Sequence, residues 1–226
     1  MWDFKKCVSK IGGWLTKGEG EFLYKTAKET LKGGNIVEIG SWKGRSTICF
    51  GLGSKDGNRA KIYAIDPHTG SSEHKKMFGK IDTYREFLEN IKKAGVSDLV
   101  IPIKKTSDEA VKNFNKKVDF ILVDGAHEYE FVKKDYELWF PKLRNGGLIA
   151  FHDSWHQIGV HLFSTQILLA SDKVSSPKLL DTLTVVQKVE KNTISDRIGN
   201  ILFVIYRFLF GWIGTIKIDL TGTVLR

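Results

Sequence analysis

At 226 residues the chain suits one well-packed α/β domain and is short for two. An apolar fraction of 42% and a charged fraction of 27% exclude disorder, and only two cysteines exclude a disulfide scaffold and point to a reducing, cytoplasmic setting. The formal charge of +9 raises nucleic acid as a partner, but the lysines are scattered among acids such as Glu86, Glu89, Asp108 and Glu109, so a solvated basic surface is the better reading.

The N-terminus carries Asp3, Lys5, Lys6 and Lys10 and no continuous apolar core, which argues against a secretory signal. Thr16-Lys-Gly-Glu19 is a capping box that opens a helix running to about Leu31, ended by Gly33-Gly34. Strands are expected at 36–39, 61–65, 99–103, 118–123 and 147–151, and helices at about 44–52, 82–94, 107–113, 128–140 and 157–170. Cys49 falls in an apolar helical stretch, where a buried structural thiol is expected. Alternation of this kind predicts a parallel sheet with helices on both faces. After Ser171 the rhythm changes, and Lys178–Leu180 followed by Thr184–Val189 imply an antiparallel edge. No internal repeat or inter-domain linker is visible.

Two stretches, VDFILVDGAHEYE (118–130) and GGLIAFHDSW (146–155), run apolar and then end in an acid with histidine beside it. Such a run is too apolar to face water on either side, so it reads as a buried strand. A carboxylate at its last position escapes burial only where the strand ends at a crevice, and open parallel sheets place that crevice at the carboxyl ends of their strands. Asp124 and Asp153 therefore mark the floor of a candidate active site, with His127 and His152 within reach. Capping of the helix that starts near His127 is the plainer role for Asp124. His152 and Asp153 should point to opposite sides if their strand continues.

VEIGSWKGRST (37–47) joins the first parallel strand to its helix. Gly40 and Gly44 allow a tight turn and close approach to a ligand, and the helix offers free N–H groups from about Gly44. One strand later KIYAIDPHTG (61–70) ends in Asp66, placed to accept both hydroxyls of a ribose. Trp42 occupies the second glycine position of a G-x-G-x-x-G fingerprint, which weakens a pyrophosphate-binding, NAD-type oxidoreductase reading.

The ordered set Glu38-Ile-Gly40, Asp66-Pro67, VDGAH (123–127) and GGLIAFHD (146–153) resembles class I S-adenosylmethionine-dependent methyltransferases. Within them it is most similar to the branch of macrolide-sugar and rhamnosyl O-methyltransferases and cephalosporin-hydroxylase-like proteins, over about residues 16–190. The resemblance implies a Rossmann-like, doubly wound, mostly parallel seven-stranded sheet whose last strand is antiparallel. It implies that Glu38, Gly40, Ser41, Gly44 and Ser46 surround the methionine part of S-adenosylmethionine, that Asp66 holds the ribose, and that Ser107 and Asp108 lie near the adenine. It also makes the fourth and fifth strands neighbours, which sets Asp124 beside Asp153. Two carboxylates that close repel unless they share a proton or a cation. A hard divalent ion such as Mg²⁺ fits oxygen ligands and would acidify a substrate hydroxyl, with His127 as general base. Metal-dependent members of the branch carry an acid where this chain has His152, which leaves only Asp124 and Asp153 as candidate metal ligands.

ILFVIYRFLFGWIGTI (201–216) is apolar around the whole helical circumference. Ile201, Ile205, Leu209 and Trp212 form one stripe expected to dock on the domain, while Phe203, Phe210 and Gly214 share the opposite face with Arg207. That second face needs cover from a homodimer partner or a peripheral membrane contact. The expected organisation is a methyltransferase domain over 1–190 and an apolar C-terminal extension over 191–226. The expected function is O-methylation of a hydroxyl on a sugar, glycan or other small molecule. An NAD-type oxidoreductase and a nucleic-acid-binding or modifying protein are the alternatives.

Overall fold

The computed structural model describes residues 3–71 and 79–220, with backbone only from 210 onward. A short helix α1 (Phe4–Val8) precedes α2 (Lys17–Glu29). The capping box is present: Thr16 Oγ1 accepts from the Glu19 amide at 3.1 Å, and Glu19 Oε2 accepts from the Thr16 amide at 2.9 Å. There follow β1 (Asn35–Ile39), α3 (Arg45–Asp56), β2 (Lys61–Ile65), α4 (Tyr84–Lys93), β3 (Val100–Ile103), α5 (Ser107–Val111), β4 (Val118–Val123) and α6 (Tyr129–Trp139). Then come β5 (Leu143–Phe151), α7 (Ile158–Ala170), β6 (Val174–Leu180), β7 (Leu183–Lys188) and α8 (Ile194–Leu220).

The seven strands lie in the order β3-β2-β1-β4-β5-β7-β6, and β7 runs antiparallel to both of its neighbours. This is a Rossmann-like, doubly wound sheet. Its order reverses beside β1, where parallel sheets open a crevice at their carboxyl ends. Alternation of side chains splits the core in two. Ile36, Ile62, Phe120, Leu122 and Ala150 pack under α1 to α4, whereas Val37, Ile65, Ile121, Val123 and Phe151 pack under α5 to α8. Even-numbered positions on β1, β4 and β5 thus face α2, a parity that decides the site below.

Two strands start earlier than their apolar runs suggest. β5 begins at Leu143, paired with Val118, and shifts register before Phe120 meets Leu148. Gly146, at φ 81°, lies in the interruption and hides the strand's first half from a pattern search. β6 begins at Val174, with a register shift between Ser175 and Lys178 and with Ser176 at φ 52°. Cys49 is fully buried, and burial pushes its thiol far up, so it is a packing residue.

The C-terminal helix docks by the face opposite to the one expected. Arg207 turns inward, only 1% exposed, and donates to Ser164 Oγ at 2.9 Å, Thr184 Oγ1 at 3.0 Å and His161 O at 3.3 Å, and also to Thr165 Oγ1. Phe203 and Val204 pack beside it on the core. Asn200 adds bonds to Leu168 O at 3.2 Å and Val174 O at 2.9 Å. Burial pushes the guanidinium down to about 10, and four acceptors on α7 and β7 offset that cost, so the inward face of the helix carries Arg207 and Asn200 beside Phe203 and Val204. Ile201, Ile205 and Leu209 face outward instead, together with Ile198, Leu202 and Phe208. The side chains of Phe210, Trp212 and Gly214 lie outside the described residues. Among the described residues, no helix is long and apolar enough to cross a membrane.

Candidate active site

Register aligns the strand tips. Ile39 pairs with Ile65 and Val123, and Val123 pairs with Phe151. One residue further on, Gly40, Asp66, Asp124 and His152 therefore stand side by side. The ladder reaches them: Gly40 N donates to Ile65 O at 2.8 Å, Asp124 N to Ile39 O at 2.8 Å, and His152 N to Val123 O at 3.0 Å. A cavity of about 500 Å³ opens over this row.

The half over β1 and β2 is shaped by backbone. Gly40 sits at φ 91°, and a Cβ there would fall 2.0 Å from the Asp124 carbonyl oxygen. Gly44, also at φ 91°, starts α3. Trp42 adopts φ 45°, a conformation that costs a bulky residue on the order of 1–3 kcal/mol. Its amide donates to Asp66 Oδ2 at 2.7 Å, and the His68 amide donates to Asp66 Oδ1 at 2.6 Å. The Asp66 carboxylate thus locks the turn, and since a carboxylate offers about four lone-pair sites, it keeps acceptors for the cavity it lines. Glu38 is fully buried under the turn and accepts from Ser46 and Thr47. Burial raises its carboxyl to about 8, against those two hydrogen bonds and with help from the charges of Asp124 and Asp66. Ser41 is 1% exposed, lines the cavity, and its Oγ has no hydrogen-bond partner among the described residues. Ser107 and Asp108 also line it. Ser107 Oγ accepts from Trp139 Nε1 at 2.8 Å, and Asp108 is drawn down to about 2 by Thr106 and by Lys134 at 2.9 Å.

The half over β4 and β5 is shaped by charge. His152 Nδ1 lies 3.0 Å from Asp124 Oδ1 and 3.4 Å from Asp153 Oδ2, and its Nε2 lies 3.3 Å from Glu19 Oε2. Burial alone would lower this imidazole, but the three carboxylates raise it well above its ordinary value. Burial raises Asp124, with His152 opposing, whereas Asp153 is held low by His152, His127 and His156 against burial. His127 Nε2 stands 3.8 Å from Asp153 Oδ2. Gly159, at the start of α7, holds the His127 backbone in place: a Cβ there would come within 2.3 Å of His127 O.

A family model described as a methyltransferase domain matches residues 37–154. The chain belongs to that methyltransferase family. It is 31% identical over 170 residues to an uncharacterized protein of Sinorhizobium fredii, which covers 73% of this chain but only 18% of that relative. The chain thus spans about a fifth of the relative's length. Among solved structures, a putative caffeoyl-CoA O-methyltransferase from Staphylococcus aureus superposes with a TM-score of 0.61 at 17% identity, covering 82% of this chain and 88% of that one. The O-methyltransferase TomG from Streptomyces achromogenes, solved in complex with S-adenosylmethionine, gives 0.59 at 15% identity over 82% of this chain and 89% of its own. These two likenesses are of fold. The family match sets the oxidoreductase alternative aside.

In this chain every candidate site residue of the sequence borders the cavity except Glu38 and Gly44, which sit just behind it. One expectation needs correction, and two subsidiary readings fall away. Asp153 does not stand abreast of Asp124; register gives that place to His152, because the β5 ladder ends at Phe151 and Asp153 turns away at φ 53°. His152 and Asp153 do not point to opposite sides, since alternation stops after His152, where Asp153 turns to φ 53°. Nor does Asp124 cap α6, whose N-cap is Glu128. The donor set does not fit a divalent ion at Asp124 and Asp153, because His152 already faces both carboxylates. Among the described residues no group of three or more metal-ligating side chains is found. Sequence reasoning missed Glu19, whose capping-box pattern concealed a second task, and Trp14 and Arg45, which line the cavity. Arg45 donates to Gly13 O and lies 5.6 Å from the Phe4 ring centre. No local pattern marks these residues, since chain folding alone brings them to the crevice.

Proposed function

We propose that the chain is an S-adenosylmethionine-dependent O-methyltransferase acting on a hydroxyl of a sugar, glycan or other small molecule. One observation carries the reading: the glycine turn with Asp66, and the acids Asp124 and Asp153 with His127, line a single cavity. The residues present suit the cofactor. Ser41 Oγ is a buried polar atom without a partner among the described residues, facing the cavity beside Ser46, where a methionine end would lie. Asp66 would take the ribose, and Ser107 with Asp108 the adenine. Trp42 in place of a second glycine suits a ligand without phosphates.

Bound there, S-adenosylmethionine supplies an electrophilic methyl group on a sulfonium centre. The chain's own residues do the rest. His127 takes the proton from the acceptor hydroxyl, and Asp153, 3.8 Å away, faces its ring and orients it. Trp14, Trp42 and Phe131 wall the cavity, excluding water and offering flat faces to an acceptor ring. Holding the oxygen in line with the methyl group supplies much of the rate.

The test is transfer of label from methyl-labelled S-adenosylmethionine to a panel of sugars and catechols. Label should appear on at least one hydroxyl, and His127→Ala should abolish it while product cofactor still binds. Full activity in His127→Ala would reject the base, and a protein that binds NAD but not the methyl donor would reject the reading.

A further inference from the structure

The buried cluster around His152 has more charge than a packing role requires. Its ring is 3% exposed, and both nitrogens face carboxylate oxygens. A neutral imidazole has one N–H and one bare nitrogen, and a bare nitrogen set against a carboxylate places lone pair against lone pair. Both nitrogens therefore carry a proton. Nδ1 lies 3.0 Å from Asp124 Oδ1 and 3.4 Å from Asp153 Oδ2 and, among the described residues, meets hydrogen-bond geometry with neither, so what ties it to the two acids is charge at close range.

The ring cannot swing away. Glu19 is fully buried, and its Oε1 accepts from the amide of Thr182 at 2.9 Å and from Thr182 Oγ1 at 2.6 Å. Its other oxygen, Oε2, faces His152 Nε2 and is fixed by the Thr16 amide. The imidazole is thus pinned among α2, the β4 tip and the β5 tip. This follows from parity: position 152 is even-numbered, so its side chain points to the face that α2 covers. The titratable groups that surround it are Glu19, Asp124 and Asp153, with His127 and His156 beyond Asp153.

We propose that His152 is the built-in cation of this crevice: it positions Asp124 and Asp153 in the way a divalent ion would, and so excludes such an ion from the site. His152 is a positioning residue that acts through the two acids. The proposal rests on the acceptor-end reading only for the place of the crevice, and its test requires no methyl transfer.

The test is titration with Mn²⁺ alone, followed by electron paramagnetic resonance, on the wild type and on His152→Asp and His152→Asn. The wild type should leave Mn²⁺ free, whereas His152→Asn, which removes the cation and leaves the three carboxylates, should bind Mn²⁺ more tightly than the wild type. His152→Asp exchanges the cation for a fourth carboxylate, so it should bind one Mn²⁺ at least tenfold tighter than the wild type, because hard cations select oxygen donors. One Mn²⁺ bound by the wild type and lost in Asp124→Asn would overturn the proposal, as would a folded His152→Asp protein that binds none. Should His152→Asp fail to fold, the wild type and Asp124→Asn still decide. ¹⁵N resonances of the wild-type His152 ring provide an independent readout: two protonated-type nitrogens are expected, and one bare nitrogen would contradict the assignment.

Discussion

The two halves of the crevice reach the same end by different means. Over β1 and β2 the surface is made by backbone: two glycines at φ 91°, a strained Trp42, and one carboxylate that ties the turn together. Over β4 and β5 it is made by side-chain charge, one buried imidazole among three acids. The first half is set chiefly by backbone shape around one carboxylate, the second chiefly by the charges facing one imidazole. Two buried glutamates, Glu38 and Glu19, show the contrast within a single residue type, since burial holds Glu38 in its neutral form and His152 holds Glu19 ionised.

Gly40→Ala should have the largest effect. Its Cβ would meet the Asp124 carbonyl oxygen at 2.0 Å, in a backbone region closed to alanine. We expect a loss of about 4–5 kcal/mol or more, read by urea unfolding. A stable Gly40→Ala protein would show that the β1 turn is not fixed by backbone.

The next effect is a pH dependence that belongs to Glu38. Its carboxyl lies at about 8 in the folded chain against 4.5 for the ordinary group. The folded state thus binds a proton more tightly than the unfolded state. That contribution to stability is complete below 4.5 and is lost as pH rises toward and through 8. The loss across that window is on the order of 5 kcal/mol. Glu38→Gln, which stays neutral at every pH, should remove the fall in stability between 4.5 and 8 and so gain on the wild type as pH rises through neutrality. An unchanged slope in that variant would assign the dependence elsewhere.

Glu19→Gln gives the sharper comparison at smaller scale. Glutamine keeps an oxygen for Thr182 but puts an NH2 where Oε2 accepts from the Thr16 amide and faces His152, so it removes both the charge and an acceptor. Losing a charged hydrogen bond should cost about 1.5–3 kcal/mol in the same unfolding experiment. Equal costs for Glu19→Gln and Glu38→Gln at neutral pH would erase the distinction between the halves.

The same contrast explains what the sequence disclosed. Buried strands that end in acids are visible as apolar runs closed by Asp66, Asp124 and Asp153, and positive-φ turns are visible as Gly40 and Gly44. The order of strands and helices follows from those runs. Register is not written in any single strand, so the residue abreast of Asp124 could be named only once Val123 was seen paired with Phe151. Glu19 stands 133 residues from His152, and its local pattern was already satisfied by the capping box. Arg207 misled for a related reason. Its acceptors Ser164, Thr165 and Thr184 lie on other elements, so a helix read alone turned its apolar stripe inward. The interruption at Gly146 concealed the start of β5 in the same way.

The central claim is that the backbone-shaped half holds S-adenosylmethionine, with Asp66 on the ribose. Calorimetric titration of the wild type and of Asp66→Ala with S-adenosylhomocysteine, and of the wild type with NAD, tests it most directly. The account predicts one site in the wild type, binding weakened by about 1.5–3 kcal/mol for each hydrogen bond lost in Asp66→Ala, and weaker binding of NAD. Unchanged affinity in a folded Asp66→Ala protein, or tighter binding of NAD than of the methyl-donor product, would contradict it.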